Sequence, residues 1–213
     1  MILSFFKYEG TGNDFIMIDD RSSILKNSAN AISRLCNRKF GIGADGLILL
    51  NKHPEYDFRM SYFNANGQEA NICGNGGRCI TAFARDLGLI TEKAAFLAND
   101  GKHSGFIIKR AQNKTIVRLS LNDVDHFREN NDHLIINTGV PHYIKFVDQI
   151  DQINVFEEGR KIRFSKPFSK NGINVDFVQI KKNRLFVRTY ERGVENETLS
   201  CGTGVTASAL AAY

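Results

Sequence analysis

The sequence is poor in cysteine and has no long apolar run. Four cysteines in 213 residues are too few for a disulfide scaffold, and in a reducing compartment we expect them to be free thiols. No apolar stretch approaches the length needed to cross a bilayer, and residues 1–7 contain neither a basic leader nor a small-residue cleavage site. We therefore predict a cytoplasmic protein with no membrane partner.

The signatures of common cofactors are also missing. The sequence has no dinucleotide-binding fingerprint and no lysine in a recognisable Schiff-base setting. Zinc is a weak option, because Cys73 and Cys79 are spaced more widely than in a zinc knuckle and no histidine lies near them. The net charge of +5 would suit nucleic acid, but the basic residues are spread singly rather than along a stripe. We predict no cofactor, no metal and no nucleic-acid partner, and an acidic small molecule fits this charge distribution better.

One motif occurs twice in the sequence. Cys-Gly-x-Gly begins at Cys73 and again at Cys201, and an alanine-containing run of helical character follows each copy. The order strand, turn, cysteine, Gly-x-Gly and helix is thus repeated, which indicates an internal duplication with approximate two-fold symmetry. The polar stretch 122–132 is the best candidate for a boundary. We predict one half over residues 1–121 and a second half over residues 122–213.

Local patterns predict an α/β fold of the α+β type with many short strands. Ser28 is a candidate N-cap, and apolar spacing places Cys36 and Phe40 on the buried face of the helix that follows. The same spacing places Cys79 on the buried face of the helix after Cys73, and Gly88 is expected to cap that helix. Cys36 and Cys79 are therefore predicted to be core residues.

A cysteine directly before a glycine-rich helix start lies in a favourable position to ionise. The unpaired N–H groups and the helix dipole stabilise a thiolate there, which predicts a pKa below the usual value of about 8.5. The alternative is that such a cysteine is a small buried hydrophobe. Two copies favour the reactive interpretation, and the exposed N–H donors of each Gly-x-Gly can also hold an anion.

Two such sites indicate proton transfer at the α-carbon of an amino acid or a similar acid. If Cys73 and Cys201 face one another across a cleft, both helix starts can hold one carboxylate while the adjacent carbon loses a proton. One thiolate then removes the proton from one face, and the opposing thiol delivers a proton to the other. The two thiols are expected to titrate as a coupled pair.

Longer motifs closely resemble the diaminopimelate epimerase family over the length of the chain. They are EGTGNDF at 9–15, FNANG at 63–67, CGNGGRC at 73–79, GVPH at 139–142, ERG at 191–193 and ETLSCGTG at 197–204. The resemblance implies a pyridoxal-independent isomerase that interconverts LL- and meso-2,6-diaminopimelate, a step towards lysine and, in bacteria, peptidoglycan. It also implies two pseudo-symmetric halves, each a mixed or antiparallel β-structure wrapped around a central helix. The second half is expected to be truncated, since its helix has barely begun when the sequence stops at Tyr213.

The resemblance assigns roles to individual residues. Cys73 and Cys201 resemble the acid/base thiols, and His142 and Glu191 resemble polar partners that assist proton exchange, with Glu191 also contacting substrate. The residues implied in substrate binding are Gly74, Asn75, Gly202 and Thr203 at the reacting carboxylate, and Asn13, Asn64, Asn174 and Arg192 at the amino and remaining carboxyl groups. On its own, His142 after a proline would be typical of a surface or hydrogen-bonded histidine. A homodimer is one assembly that the sequence allows.

This chain departs from the family at three positions. Val140 stands where the family often has Asn, so another group or a water must replace that amide at the distal end of the substrate. Gly46 stands where many members have Gln, which removes a second contact. Asn66 replaces the usual Asp of its turn, and the turn should tolerate it.

Two other functions stay open. One is a proline racemase-like isomerase of the same superfamily, although such enzymes usually carry His where Asn75 stands and need no distal recognition. The other is a thiol redox or sensing protein in which Cys73 and Cys201 form a reversible disulfide.

Overall fold

The computed structural model describes residues 3–25, 28–112, 114–121, 123–124 and 127–213. The chain divides into two compact units, Met1–Leu121 and Asn122–Tyr213. Residues 122, 125 and 126 of the polar stretch 122–132 lie outside the described part. Among the described residues, no helix combines the length and apolar character needed to span a bilayer.

The first unit is a large mixed sheet, and each of its two faces is covered by a helix. Its strands are β1 (Phe6–Gly10), β2 (Asn13–Asp19), β3 (Gly46–Asn51), β4 (Phe58–Asn64), β5 (Glu69–Ala70), β6 (Lys93–Ala98), β7 (Gly101–Ala111) and β8 (Lys114–Leu119), and its helices are α1 (Ala29–Cys36) and α2 (Gly74–Asp86). The strand order is β1-β2-β3-β4-β6-β7-β8, with β5 paired to β4.

Helix α2 lies inside the curve of this sheet. It contacts both edge strands, β1 and β8, as well as β2, β3, β4 and β7 between them. Its fully buried Phe83 packs in the same core cluster as Phe15 and Ile48, and burying one such side chain contributes about 1.5–3 kcal/mol. A cavity of about 660 Å³ is lined by residues of both edge strands. The sheet therefore wraps around α2.

Alternation along β3 separates the two faces of the sheet. Ile48 points to the α2 side, whereas Leu47 and Leu49 pack in a second cluster with Ile32 and Cys36 of α1. Both sets are fully buried, as expected for a central strand with helices on both faces. Cys36 is thus a core residue of the outer cluster, as predicted.

The ends of the two helices test the sequence predictions. Ser28 caps α1 by accepting a hydrogen bond from the backbone of Ala31, and Gly88 follows α2 with a φ of 72°, so both predicted caps are confirmed. The burial predicted for Phe40 is wrong, because α1 ends at Cys36 and Phe40 is 82% exposed. The side-chain oxygen of Asn37 accepts hydrogen bonds from the next turn and stops the helix.

The second unit is a smaller sheet with a helix on each face. Its strands are β9 (Phe127–Glu129), β10 (Leu134–Asn137), β11 (Pro141–Phe146), β12 (Asn174–Lys181), β13 (Arg184–Glu191) and β14 (Asn196–Thr198) in the order β14-β13-β12-β11-β10-β9. A 3-10 helix, Ile150–Gln152, precedes α3 (Val155–Arg163), and the chain ends in α4 (Gly202–Ala211). Only β11 and β12 pair in parallel among the described strands of this sheet.

Strand β12 supplies both faces of this sheet. Val175 and Phe177 pack in the cluster that includes Val155 of α3. Val178 packs instead with Ala207 of α4. Side chains that alternate along one strand therefore face different helices. The predicted fold class, a mixture of helices and two β-sheets, is confirmed.

Candidate active site

The first cysteine motif holds three of the predicted site residues together. Cys73 is the N-cap of α2, with extended backbone angles. Its thiol donates a hydrogen bond to Oδ1 of Asn13 at 3.4 Å, and Nδ2 of Asn75 donates to the same oxygen at 3.3 Å. Asn13 in turn donates to the carboxylate of Asp45 at 2.9 Å. The start of α2 is thereby joined to the start of β2.

The side chain of Asn75 is committed to contacts within the protein. It is buried, and its Oδ1 accepts hydrogen bonds from the hydroxyl of Thr11 at 3.2 Å and from the guanidinium of Arg78. Since its amide group is occupied in this way, Asn75 can serve a ligand through its backbone more readily than through its side chain.

The glycines of the motif have a packing role that the sequence did not reveal. A Cβ at Gly76 would lie 2.9 Å from Cδ1 of Ile48, and a Cβ at Gly77 would lie 2.7 Å from Cδ2 of Leu119. Carbon atoms in contact prefer separations of about 3.5–4.0 Å. A side chain at either position would therefore have to displace the end of Ile48 or Leu119, and the glycines let the first turn of α2 pack closely against the sheet.

Asn64 lies exposed at the end of β4 and has a different partner. The hydroxyl of Tyr62 donates to its Oδ1 at 2.9 Å. Gly46 pairs with Asn64 in the sheet, and a Cβ at Gly46 would lie 2.7 Å from Cε2 of Tyr62. The ring of Tyr62 thus fills the space beside Gly46, one of the positions at which this chain was expected to depart from the family pattern. Sequence reasoning missed Tyr62.

The second cysteine motif repeats the arrangement at the start of α4. Cys201 is the N-cap of this helix, and its sulfur lies 3.3 Å from the hydroxyl oxygen of Thr203. Glu191 at the end of β13 is another polar neighbour of the thiol. Burial raises the pKa of Glu191, and hydrogen bonding to Cys201 partly offsets that rise.

The lowered pKa that we expected for Cys201 is wrong. Burial raises the pKa of this thiol, and the nearby carboxylate of Glu191 raises it further. The hydrogen bonds from Thr203 and from the backbone of Gly204 act in the opposite direction but do not outweigh them. A helix start alone therefore does not determine the direction of the pKa shift, and at Cys201 burial favours the protonated thiol.

His142 on β11 is fully buried rather than on the surface. Its Nδ1 lies 2.6 Å from a carboxylate oxygen of Asp176, and its Nε2 lies 3.0 Å from the hydroxyl of Thr203 and 3.5 Å from Nδ2 of Asn174. The second unit thus brings together three predicted residues, together with Asp176, which sequence reasoning missed. The signal was a single carboxylate inside the apolar run 175–178 of a buried strand.

Arg192 and Asn174 are linked through the backbone. The backbone N–H of Arg192 donates to Oδ1 of Asn174 at 2.9 Å, and the exposed guanidinium donates to the carbonyl of Asn171 at 2.9 Å. Within the described ranges, histidine, cysteine and carboxylate side chains form no group of three or more that could hold a metal ion.

Solved structures place this architecture in a known class of α/β proteins. A phenazine biosynthesis protein of the PhzF family from Bacillus anthracis matches with a TM-score of 0.73 at 14% identity, over 99% of this chain and 80% of its own. A hydroxyproline epimerase from Agrobacterium vitis matches with a TM-score of 0.68 at 13% identity, over 98% and 76%. At these identities the likeness establishes the fold, and the fold is shared with enzymes of different named activities.

The family follows from sequence comparison. The family model for diaminopimelate epimerase matches residues 5–118 and 134–213. The diaminopimelate epimerase of Flavobacterium psychrophilum is 46% identical over 211 residues, which cover 98% of this chain and 81% of that protein. The enzyme of Aquifex aeolicus is 39% identical over 228 residues, with coverage of 99% and 81%. The chain belongs to the diaminopimelate epimerase family.

Proposed function

We propose that this chain interconverts LL- and meso-2,6-diaminopimelate by proton transfer at the α-carbon. The observation that carries the proposal is the repeated cysteine N-cap, Cys73 on α2 and Cys201 on α4, each at the start of a Gly-x-Gly helix. The relatives named diaminopimelate epimerase, 36–46% identical, support the choice of substrate. The two units correspond in this proposal to the two halves, 1–121 and 122–213.

The two thiols act as base and acid on opposite faces of the substrate. In one direction, Cys73 as a thiolate removes the α-proton, and the electron pair of the broken C–H bond spreads into the adjacent carboxylate. Cys201 then delivers its proton to the opposite face and becomes the thiolate. The raised pKa of Cys201, caused by burial and Glu191, supports its role as the acid in this direction. The roles are exchanged in the reverse direction.

The reacting carboxylate is held by the first turns of the two helices. The donors are the backbone N–H groups of Gly74, Asn75, Gly202 and Thr203. The first N–H groups of a helix have no intrahelical acceptor, and the helix dipole stabilises a nearby anion by typically about 0.3–1 kcal/mol at exposed sites. The stabilisation increases as charge develops on the carboxylate, which lowers the barrier.

The remaining polar groups recognise the rest of the substrate. Asn13, Asn64, Asn174 and Arg192 bind its amino and carboxyl groups, including those at the distal end. Because the hydroxyl of Tyr62 occupies Oδ1 of Asn64, the NH₂ group of Asn64 is directed to a carboxylate acceptor. In this proposal the amide of Asn64 binds the distal end of the substrate. It compensates for the glutamine and the asparagine that the family resemblance would place where Gly46 and Val140 stand.

We also propose the setting of this reaction. The enzyme uses no cofactor, because the thiols and helix starts supply both the proton transfer and the charge stabilisation. It works in the cytoplasm on the route to lysine and, in bacteria, peptidoglycan. We propose that the protein is a homodimer. Light scattering, which measures the mass in solution, tests this assembly.

Deuterium exchange tests the proposed reaction. The full chain is incubated with LL-diaminopimelate in deuterated water, and α-deuterium incorporation and the meso isomer are followed. Cys73→Ala and Cys201→Ala should each abolish epimerisation, whereas Cys36→Ala, which changes a core cysteine of α1, should keep it. Full activity of the Cys201→Ala protein would exclude a two-thiol mechanism.

Two further results separate the rival functions. Exchange with proline and none with diaminopimelate would favour the racemase. A thiol titration with and without reductant addresses the redox alternative, because an active form with a disulfide between Cys73 and Cys201 would have two fewer reactive thiols.

A further inference from the structure

The turn between β6 and β7 is bound to the segment that leads into the first cysteine motif. Nδ2 of Asn99 in this turn donates a hydrogen bond to the backbone carbonyl of Ala70 at 3.4 Å. The carboxylate of Asp100, the next residue, accepts a hydrogen bond from the backbone N–H of Ile72. Ile72 directly precedes Cys73, the N-cap of α2. The turn therefore holds the backbone immediately before the first thiol.

His103 of β7 lies beside Asp100 and is 1% exposed. Its Nε2 lies 3.1 Å from Oδ1 of Asp100, and its Nδ1 lies 3.3 Å from the backbone carbonyl oxygen of Ser120. An ionised carboxylate and a carbonyl accept hydrogen bonds and cannot donate them, whereas a neutral imidazole has a single N–H. Both hydrogen bonds can therefore form together only when His103 is an imidazolium.

The two side chains support each other's charge. Burial alone would lower the pKa of His103, but the hydrogen bond to Asp100, the charge of that carboxylate and the carbonyl of Ser120 raise it. Burial alone would raise the pKa of Asp100, but His103 and the backbone N–H groups of Asp100 and Ile72 lower it. A buried charge without a partner is strongly destabilising, so each ion here depends on the other.

Charged side chains on the elements around this pair contact other groups. The contacts are Arg59 with Asn99, Arg78 with Asn75, Asp86 with Arg110, Lys102 with the ring of Tyr56, and Lys93 and Arg118 with the ring of Phe106. The ring of Phe96 on β6 lies beside the imidazole at a centroid distance of 5.7 Å. The charge of His103 is thus balanced by Asp100.

We propose that Asp100 and protonated His103 together position Cys73, by fixing the backbone of residues 70–72 from which α2 begins. The carboxylate holds the N–H of Ile72, and the imidazolium holds the carboxylate against the chain at Ser120. When His103 loses its proton, one N–H is left for two acceptors, so the turn is fixed less firmly. The role in catalysis rests on the proposed function, whereas the ion pair and its hold on Ile72 do not.

The packing of Ile72 transmits its position to the helix start. Ile72 is buried and belongs to the core cluster of α2. A Cβ at Gly77 in the first turn of α2 would lie 3.1 Å from Cδ1 of Ile72. A displacement of Ile72 would therefore reach Cys73 through the backbone and would also disturb the contact of its side chain with the first turn.

Protonation of His103 is tested first, in the unchanged protein. An NMR titration of the full chain, with the His103 signals assigned from a His103→Gln variant, follows the charge of the ring. The expected midpoint lies above the ordinary pKa of about 6.5, with both ring nitrogens protonated near that pH. A midpoint at or below that value would overturn the proposal, and the measurement does not depend on the folding of an Asp100 variant.

The second test is the hydrogen exchange rate of the Ile72 amide, measured by NMR relative to that of Leu49. Leu49 is fully buried on β3, so its amide reports global unfolding. Asp100→Asn should speed exchange of Ile72 relative to Leu49 by on the order of tenfold, because the N–H loses a charged acceptor. A general loss of stability would speed both amides equally, and an unchanged ratio would overturn the proposal.

Asp57→Asn is the matched control. The carboxylate of Asp57 accepts a hydrogen bond from the backbone N–H of Ala95 on β6 at 2.7 Å. The control therefore neutralises another carboxylate of the first unit that binds a backbone N–H, and it should leave the ratio of Ile72 to Leu49 unchanged. An equal increase in the two variants would overturn the specific hold of Asp100 on Ile72.

The pH dependence of the same ratio tests the contribution of His103. In the unchanged protein, exchange of Ile72 relative to Leu49 should become faster as the pH rises through the midpoint of His103. Base catalysis accelerates exchange of both amides and therefore cancels in the ratio. In His103→Gln the ratio should not depend on pH, and a ratio without pH dependence in the unchanged protein would overturn the proposal.

Catalysis provides the last test. Asp100→Asn should lower kcat for diaminopimelate by a larger factor than it changes KM, because a displaced thiol transfers protons more slowly while the groups that bind substrate stay the same. Asp57→Asn should keep kcat. A normal kcat together with faster exchange at Ile72 would overturn the positioning role. The titration and exchange measurements use no diaminopimelate, so failure of the proposed reaction and failure of this inference can be told apart.

Discussion

Two phenylalanines of the first unit should differ sharply in their contribution to stability. Phe83 of α2 is 1% exposed and packs against the rings of Phe6 and Tyr8 at centroid distances of 5.2 and 5.6 Å. Phe40 is 82% exposed, beyond the end of α1. Apolar spacing alone places Phe40 on a buried helix face, so this pair tests where α1 ends.

The expected difference is several kcal/mol. Truncating a buried phenylalanine to alanine costs about 3–5 kcal/mol, because the transfer free energy of the removed apolar atoms is lost and a cavity remains. A surface substitution usually changes stability by less than about 0.5 kcal/mol. Phe83→Ala should therefore remove a large part of the roughly 5–15 kcal/mol that stabilises a typical domain. Phe40→Ala should be almost neutral.

Urea unfolding followed by circular dichroism measures the difference. Phe83→Ala should strongly lower the urea midpoint for unfolding of the first unit. The unfolding curve of Phe40→Ala should coincide with that of the unchanged protein. Comparable losses for both variants would refute the reasoning, because they would mean that α1 continues past Asn37 and buries Phe40.

Two further predictions concern the polar groups of the first unit. Tyr62→Phe removes the hydrogen bond to Asn64 and should raise KM for diaminopimelate by about two- to thirteenfold, the equivalent of about 0.5–1.5 kcal/mol, with little change in kcat. An unchanged KM would argue against a role of Asn64 at the distal end. Burial lowers the pKa of His103, but the hydrogen bond to Asp100, the charge of that carboxylate and the hydrogen bond to the backbone of Ser120 together outweigh burial and raise the pKa. The stability that protonated His103 gains from these contacts is fully present below the unfolded pKa of about 6.5 and is lost as the pH rises through the folded pKa. Between pH 6 and pH 9, the urea midpoint of the unchanged protein should therefore fall by more than that of a His103→Gln variant.

The positions of the two cysteines could be predicted because they depend on local chemistry. A cysteine before Gly-x-Gly and an apolar run contains the information for an N-cap, and Cys73 and Cys201 both occupy that position. Phe40 shows the limit of periodicity. Its spacing continued the helical pattern, but the side chain of Asn37 competed for the backbone and ended α1.

The parts of the site that could not be predicted depend on contacts between distant residues. Asp176 is 34 residues from His142 in sequence, and the parallel pairing of β11 with β12 brings them together. The raised pKa of Cys201 arises in the same way, since burial and the carboxylate of Glu191 on β13 outweigh the effect of the helix start at α4. Local patterns identify the chemical groups, whereas their ionisation depends on the tertiary fold.

The alternation of side chains along β12 also has a consequence for folding fidelity. A slip of one residue in its pairing would turn Asp176 towards α3 and would set Val175 against His142. The misregistered strand would then hold an unpaired carboxylate among the apolar side chains of the other cluster, at a cost of several kcal/mol. The carboxylate therefore favours the observed register of the sheet, in which Thr189 donates to one of its oxygens and His142 lies beside the other.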